Sequence, residues 1–146
     1  MKAFEHKHVV GFEETNVVGN VYFANYLVWQ GKCREMFLRT HCPSILGLIS
    51  DGLSLVTLRT SCEYFAELEA FDEVLIRMTL EDMRQNRVTM KFDYFKVTPS
   101  GNELAASGEQ SIACMQREGG EMVPTPVPTE MRDALRAYQN TAVGVV

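Results

Sequence analysis

The chain has 146 residues, 46% of them hydrophobic and 23% charged, and a formal net charge of −5. This length fits one domain with a sizeable core, and the balance of residue types is that of an ordinary globule. An acidic chain is a poor match for phosphate backbones, which argues against nucleic acid as the main partner, and no apolar run approaches the ~18 residues that cross a bilayer.

In chain order, residues 6–12 predict a short strand and residues 13–20 a loop, with Asn16, Gly19 and Asn20 as turn formers. Residues 23–40 carry helical spacing, and Pro43 supplies the stop. Residues 44–50 read as a short second helix and Asp51-Gly52 as a turn. Four period-two segments follow over 53–66, 74–80, 87–97 and 104–115, with turns at Gln85-Asn86 and Pro99-Ser100-Gly101-Asn102. In the first segment one parity carries Val56, Leu58, Thr60, Cys62 and Tyr64. Such alternation predicts an antiparallel sheet with one buried face. Pro124, Pro126 and Pro128 predict an extended connector, Thr129 a cap for a last helix with Glu130 and Asp133 in its first turn, and residues 140–146 a frayed end. The expected class is α+β, a two-layer arrangement of a five-stranded antiparallel sheet on one long helix. It forms a single domain, with its core over residues 6–118 and a C-terminal extension over 124–146.

Cys33, Cys42, Cys62 and Cys114 form no CxxC pair and lie near no His cluster, so they read as reduced thiols of a cytoplasmic protein. The charged start of the chain, up to His8, lacks an apolar stretch of signal-peptide length. His6 and His8 alternate on a strand and His41 is isolated, which leaves no set of metal ligands.

One residue of the long helix breaks its pattern. At 100° per residue, with Tyr26 at zero, Phe37, Gln30, Phe23, Leu27 and Leu38 fall on one apolar arc, and Glu35, Arg39 and Lys32 on the water face. Arg34 falls at about 80°, inside the apolar arc. Its helical neighbours Gln30, Gly31, Phe37 and Leu38 offer no carboxylate. A buried guanidinium needs a partner, so Arg34 either pairs with a sheet carboxylate such as Glu63 or Glu67, snorkels to a rim, or contacts an anion or oxyanion. Tyr26 on the same arc is either core with a satisfied hydroxyl or a phenol at a site. The loop at 16–20 lies just upstream of the helix start, whose free N–H groups can polarise a carbonyl.

The run from Phe12 through Asn16, Gly19 and Asn20 to Tyr26 resembles the signature of hotdog thioesterases of the 4-hydroxybenzoyl-CoA type. Ser61-Cys62-Glu63-Tyr64-Phe65-Ala66 and Phe71-Asp72-Glu73-Val74-Leu75-Ile76 resemble that family's sheet. Where the family keeps a catalytic aspartate, this chain has Asn16, which has no titratable carboxylate. Asn16 together with Trp29-Gln30-Gly31-Lys32-Cys33-Arg34-Glu35 is similar to a narrower group, the thioesterases of enediyne polyketide biosynthesis.

That resemblance implies a hotdog fold and hydrolysis of a conjugated polyene β-keto acyl thioester, followed by decarboxylation to a methyl ketone or polyene. The implied partner is the acyl carrier domain of an iterative type I polyketide synthase. No metal or organic cofactor is implied beyond the phosphopantetheine of the substrate. Asn16, Arg34 and Tyr26 take the catalytic positions, with Gly19, Phe23, Gln30, Phe37 and Leu38 as candidate substrate contacts. The family also implies a homotetramer made of dimers, with sites between subunits. Lys32, Arg39, Arg84, Arg87 and Lys91 are available as a basic rim for an acidic carrier. A general acyl-CoA thioesterase and a non-catalytic acyl-chain binder stay open as alternatives.

Overall fold

The computed structural model describes residues 2–140. Strand β1 (Phe4–Val9) leads through a short 3-10 turn (Phe12–Glu14) into helix α1 (Ala24–His41) and helix α2 (Ile45–Ser50). Strands β2 (Leu53–Tyr64), β3 (Glu73–Arg84), β4 (Arg87–Thr98), β5 (Gly101–Glu118) and β6 (Glu121–Pro124) follow, and helix α3 (Thr129–Arg136) is the last described element. The strands make one antiparallel sheet in the order β1-β3-β4-β5-β2, with β6 paired to the end of β5.

Among the described residues the expected five strands are therefore six. Gly119 and Gly120 both adopt positive φ (56° and 85°), the geometry of a tight hairpin, and they turn β5 back on itself into β6. The proline-rich segment was expected to be connector throughout, but its first residues pair with the sheet before Pro126 and Pro128 end the ladder.

Period-two alternation places Ile76, Met78, Leu80 of β3 and Met90, Phe92, Tyr94 of β4 on the inner face, directly opposite one another in register. Helix α1 lays Tyr26, Trp29, Gln30, Cys33, Phe37 and Leu38 on that face. A bulge between Thr57 and Arg59 corrects the parity expected for β2. Leu53 and Leu55 face inward before the bulge and Thr60 and Cys62 after it, so Val56 and Leu58 are exposed instead of sharing one buried row.

The extension docks onto the core. Val127, Met131, Leu135 and Tyr138 are buried, and the rings of Phe4, Phe37, His41 and Tyr138 pack edge to face or tilted against one another. Thr129 does not cap α3; Pro128 holds the cap position without a side-chain hydrogen bond. The fraying expected from residue 140 does not reach Asn140, which is buried and bonded to the Leu80 carbonyl and to Glu81; residues 141–146 lie outside the described part.

Candidate active site

The loop before α1 is fastened by one carboxylate. Glu14 Oε1 accepts from the Gly11 N–H (2.8 Å) and lies 2.7 Å from His8 Nε2, while Glu14 Oε2 accepts from Trp29 Nε1 (2.6 Å). The Glu14 carbonyl accepts from Asn25 Nδ2 at 2.8 Å. Burial alone would raise the Glu14 pKa, but the Gly11, His8 and Trp29 hydrogen bonds outweigh it and hold the carboxyl below its ordinary value. A carboxylate so well satisfied is a poor base. It clamps β1, the loop and α1 together. Sequence reasoning missed this clamp, whose members lie 6 and 15 residues from Glu14 and share no helical or strand period.

Beyond the clamp, Asn16 opens a tight turn. Its N–H donates to the Asn20 carbonyl, its carbonyl accepts from Gly19 N–H, and its Oδ1 accepts from Val18 N–H (3.0 Å). Gly19 supplies the φ of +95° that the turn requires. The carboxamide is thus oriented by its own loop and lies exposed.

Arg34 points the other way. Its Nη1 donates to Gln110 Oε1 of β5 at 2.8 Å, and its Nε is buried without a hydrogen-bond partner among the described residues. Neither Glu63 nor Glu67 meets it, and among the described residues no carboxylate forms an ion pair with it. Burial lowers its pKa, opposed by Glu35. Arginine still keeps its proton at any physiological pH, so the site holds a half-buried cation hydrogen-bonded to a neutral amide, with Glu35 near enough to act on it but in no ion pair.

Arg34 lines a cavity of about 680 Å³ between α1, α2 and β2. Leu38, Ile45, Leu46, Ile49, Leu53 and Leu55 line it, with Arg39 and Glu35 also on its border. That size lies within the range of small-molecule sites.

The remaining candidates divide among cavity, core and surface. Leu38 lines the cavity. Phe37 is 1% exposed and packed under Phe4, His41 and Tyr138, away from the cavity lining. Phe23 is 57% exposed, which corrects its place on the buried arc; it sits at the cap of α1, beyond the cover of the sheet, against Tyr22. Gln30 is fully buried, with Nε2 donating to the Ser61 carbonyl (2.9 Å) and Oε1 accepting from Thr60 Oγ1 (2.8 Å). Tyr26 is surrounded by the rings of Trp29, Tyr64 and Tyr94. Burial, with smaller help from Cys62 and Tyr64, pushes its phenol up to about 12, so it is a neutral hydrogen-bonding group and no base. The same cause lifts Cys33 to about 12 and Cys62 to about 11, which removes both as thiolate nucleophiles. Of the basic residues, Arg39 borders the cavity, Arg84 pairs with Asp82, and Lys91 lies with Arg59 and Glu63 in a separate hollow.

Within one chain Asn16 and Arg34 are not together. The loop is tied to the flank of α1 that carries Asn25 and Trp29, and Arg34 leaves the helix about 140° away from Trp29 and about 7.5 Å further along.

Comparison with known proteins agrees with this architecture. The chain is similar to the dynemicin thioesterase, whose crystal structures describe polyene binding: 48% identity, a TM-score of 0.91, and coverage of 95% of this chain and 99% of that one. It is 24% identical to the acyl-CoA thioester hydrolase YbgC of Escherichia coli over 106 residues, 73% of this chain and 77% of that protein. The 1,4-dihydroxy-2-naphthoyl-CoA thioesterase of Synechocystis shares the fold, with a TM-score of 0.83 at 20% identity over 92% of this chain and 96% of that one. No helix among the described residues is long and apolar enough to cross a membrane. Residues 10–135 match the thioesterase-like superfamily, and the chain belongs to it as a thioester hydrolase with the hotdog fold.

Proposed function

We propose that the protein releases a linear polyene β-keto acyl chain from the phosphopantetheine arm of an acyl carrier domain, on an iterative type I polyketide synthase of enediyne biosynthesis in the cytoplasm. The observation that carries this reading is Arg34, in no ion pair among the described residues and held by a neutral amide, at the wall of a largely apolar cavity. The similarity to the dynemicin thioesterase supports the polyene as the acyl group.

Water adds to the thioester carbonyl, negative charge gathers on its oxygen, and the C–S bond then breaks, with the thiol taking up a proton. Arg34 faces the developing oxyanion with a full positive charge in a low-dielectric setting. Asn16 holds the carbonyl or the water through its carboxamide. No carboxylate serves as base, so the water is activated by placement and polarisation, and turnover is slow. The freed β-keto acid loses carbon dioxide to leave a methyl ketone or polyene.

Asn16 and Arg34 meet in this reading only across a subunit boundary. β2 is an edge strand with its far side unpaired by any described strand, which supports pairing with a second copy there, within a tetramer made of dimers. No metal or organic cofactor enters the scheme.

The similarity to the E. coli acyl-CoA thioester hydrolase favours a second reading, in which coenzyme A carries the acyl group. Hydrolysis of carrier-bound and CoA-bound forms of one β-keto acyl chain separates the two. The proposal expects preference for the carrier-bound form and, on co-expression with an iterative synthase, a released polyene visible by absorption. Preference for short acyl-CoA substrates overturns it, and binding of the chain without turnover points to a non-catalytic binder.

A further inference from the structure

We propose that Gln110 is a positioning residue of this site: its neutral amide aims the Arg34 guanidinium at the cavity while leaving the positive charge free for the oxyanion. The inference rests on the role given to Arg34 above.

Gln110 is 5% exposed, on the inner face of β5 between Met90 of β4 and Thr60 of β2, its register partners. Two polar side chains of α1 one turn apart reach this part of the sheet. Gln30 is held by Thr60 and Ser61, so the Thr60 hydroxyl proton is already used. The Gln110 oxygen is left to Arg34, at 2.8 Å.

Glu35 acts on Arg34 from the cavity border, but the seam that holds the guanidinium is made of amides and hydroxyls, and no carboxylate among the described residues bonds it. Burying an arginine against a neutral acceptor is the costlier choice for folding, since a buried cation is normally paired. It is the better choice for a transition state. A glutamate of the same size would hold the guanidinium in a charge-assisted pair, already satisfied before any oxyanion forms. A glutamine fixes the direction of the fork through one N–H and leaves its charge without an ion-pair partner and its other N–H groups available.

The test uses the 146-residue chain with a synthetic β-keto acyl N-acetylcysteamine thioester, and free thiol as the readout. Gln110→Glu is expected to lower kcat by about 10²-fold, the cost of losing one preorganised oxyanion donor, with KM nearly unchanged and the melting temperature equal or higher. Gln110→Met, which removes the acceptor without adding charge, is expected to lower kcat about tenfold, and it serves also if the glutamate variant does not fold. If Arg34→Ala abolishes turnover while both Gln110 variants keep wild-type kcat, the positioning role is wrong and the Arg34 reading stands. If Arg34→Ala itself turns over normally, the reading of Arg34 falls and the role of Gln110 falls with it.

Discussion

Gly108 of β5 lies directly beneath the Gln30 amide: a Cβ built there would stand 2.5 Å from Gln30 Nε2 and in hard overlap with the Ser61 carbonyl. The missing side chain lets α1 settle onto the sheet at the level where Gln30 joins β2. Gly108→Ala must push the helix away or break the Gln30 bonds, because the Ser61 carbonyl is backbone and cannot step aside. Overpacking of this kind costs about 1–3 kcal/mol, read as a lower urea midpoint. An unchanged midpoint would show that the helix has slack there.

Arg34→Ala removes the cation that α1 directs at Gln110 of β5. It is expected to lower kcat for thioester hydrolysis by about 10²–10³-fold. Stability should hold or rise, because the lost group is a desolvated charge and leaves behind only the Gln110 amide, which can turn to water in the enlarged cavity. Arg34→Lys is expected to recover little, since a single ammonium cannot bond Gln110 and an oxyanion with the same fork geometry. Steady-state kinetics beside thermal melts check both statements; a variant that loses fold and activity together would speak for a structural role instead.

The separation of Asn16, in a loop tied to one flank of α1, from Arg34 on another flank gives a prediction about assembly. Asn16→Ala and Arg34→Ala chains are each expected to be inactive alone. Mixed by refolding together, they should regain up to about a quarter of wild-type activity for dimers formed at random, since only the mixed dimer holds one intact pair. No regain on mixing would place both residues in one subunit. Asn16→Asp is a separate probe. It puts a carboxylate at the family's usual position, and loss of activity is expected if the amide acts as a neutral donor.

Much of this fold was legible because most of its elements obey one period each. The helix over Ala24–His41 and the inward rows of β3 and β4 follow directly from spacing. Spacing alone also put Arg34 on the buried arc. What the pattern could not carry was anything that breaks a period. The bulge at Thr57/Arg59 shifts parity within one strand, and the Gly119-Gly120 hairpin hides a short strand ahead of prolines. Partners distant in sequence were equally out of reach. Glu63 and Glu67 were the natural candidates for Arg34 by charge, whereas the partner is Gln110, 76 residues away and uncharged.

The Glu14 clamp makes a prediction with a definite sign. Its carboxyl is held below the ordinary value of 4.5 in the folded chain, so the ionised form is favoured by folding. The stability it contributes is fully present above the unfolded carboxylate value and is lost as the pH falls through the lower, folded one. Glu14→Gln keeps the size but turns an N–H donor toward either the Trp29 indole or the Gly11 amide, both donors themselves. At neutral pH the variant should be less stable by about 1–3 kcal/mol. The difference should shrink as the pH drops below 4.5, because the wild-type clamp is then being protonated. Urea unfolding of both proteins across that range measures the gap directly. A gap independent of pH would mean that the loop is held by packing and the Asn25 bond, with the charge on Glu14 playing no part. Because Asn16 lies two residues beyond the clamp, Glu14→Gln should also lower turnover at neutral pH while leaving the Arg34 cavity untouched.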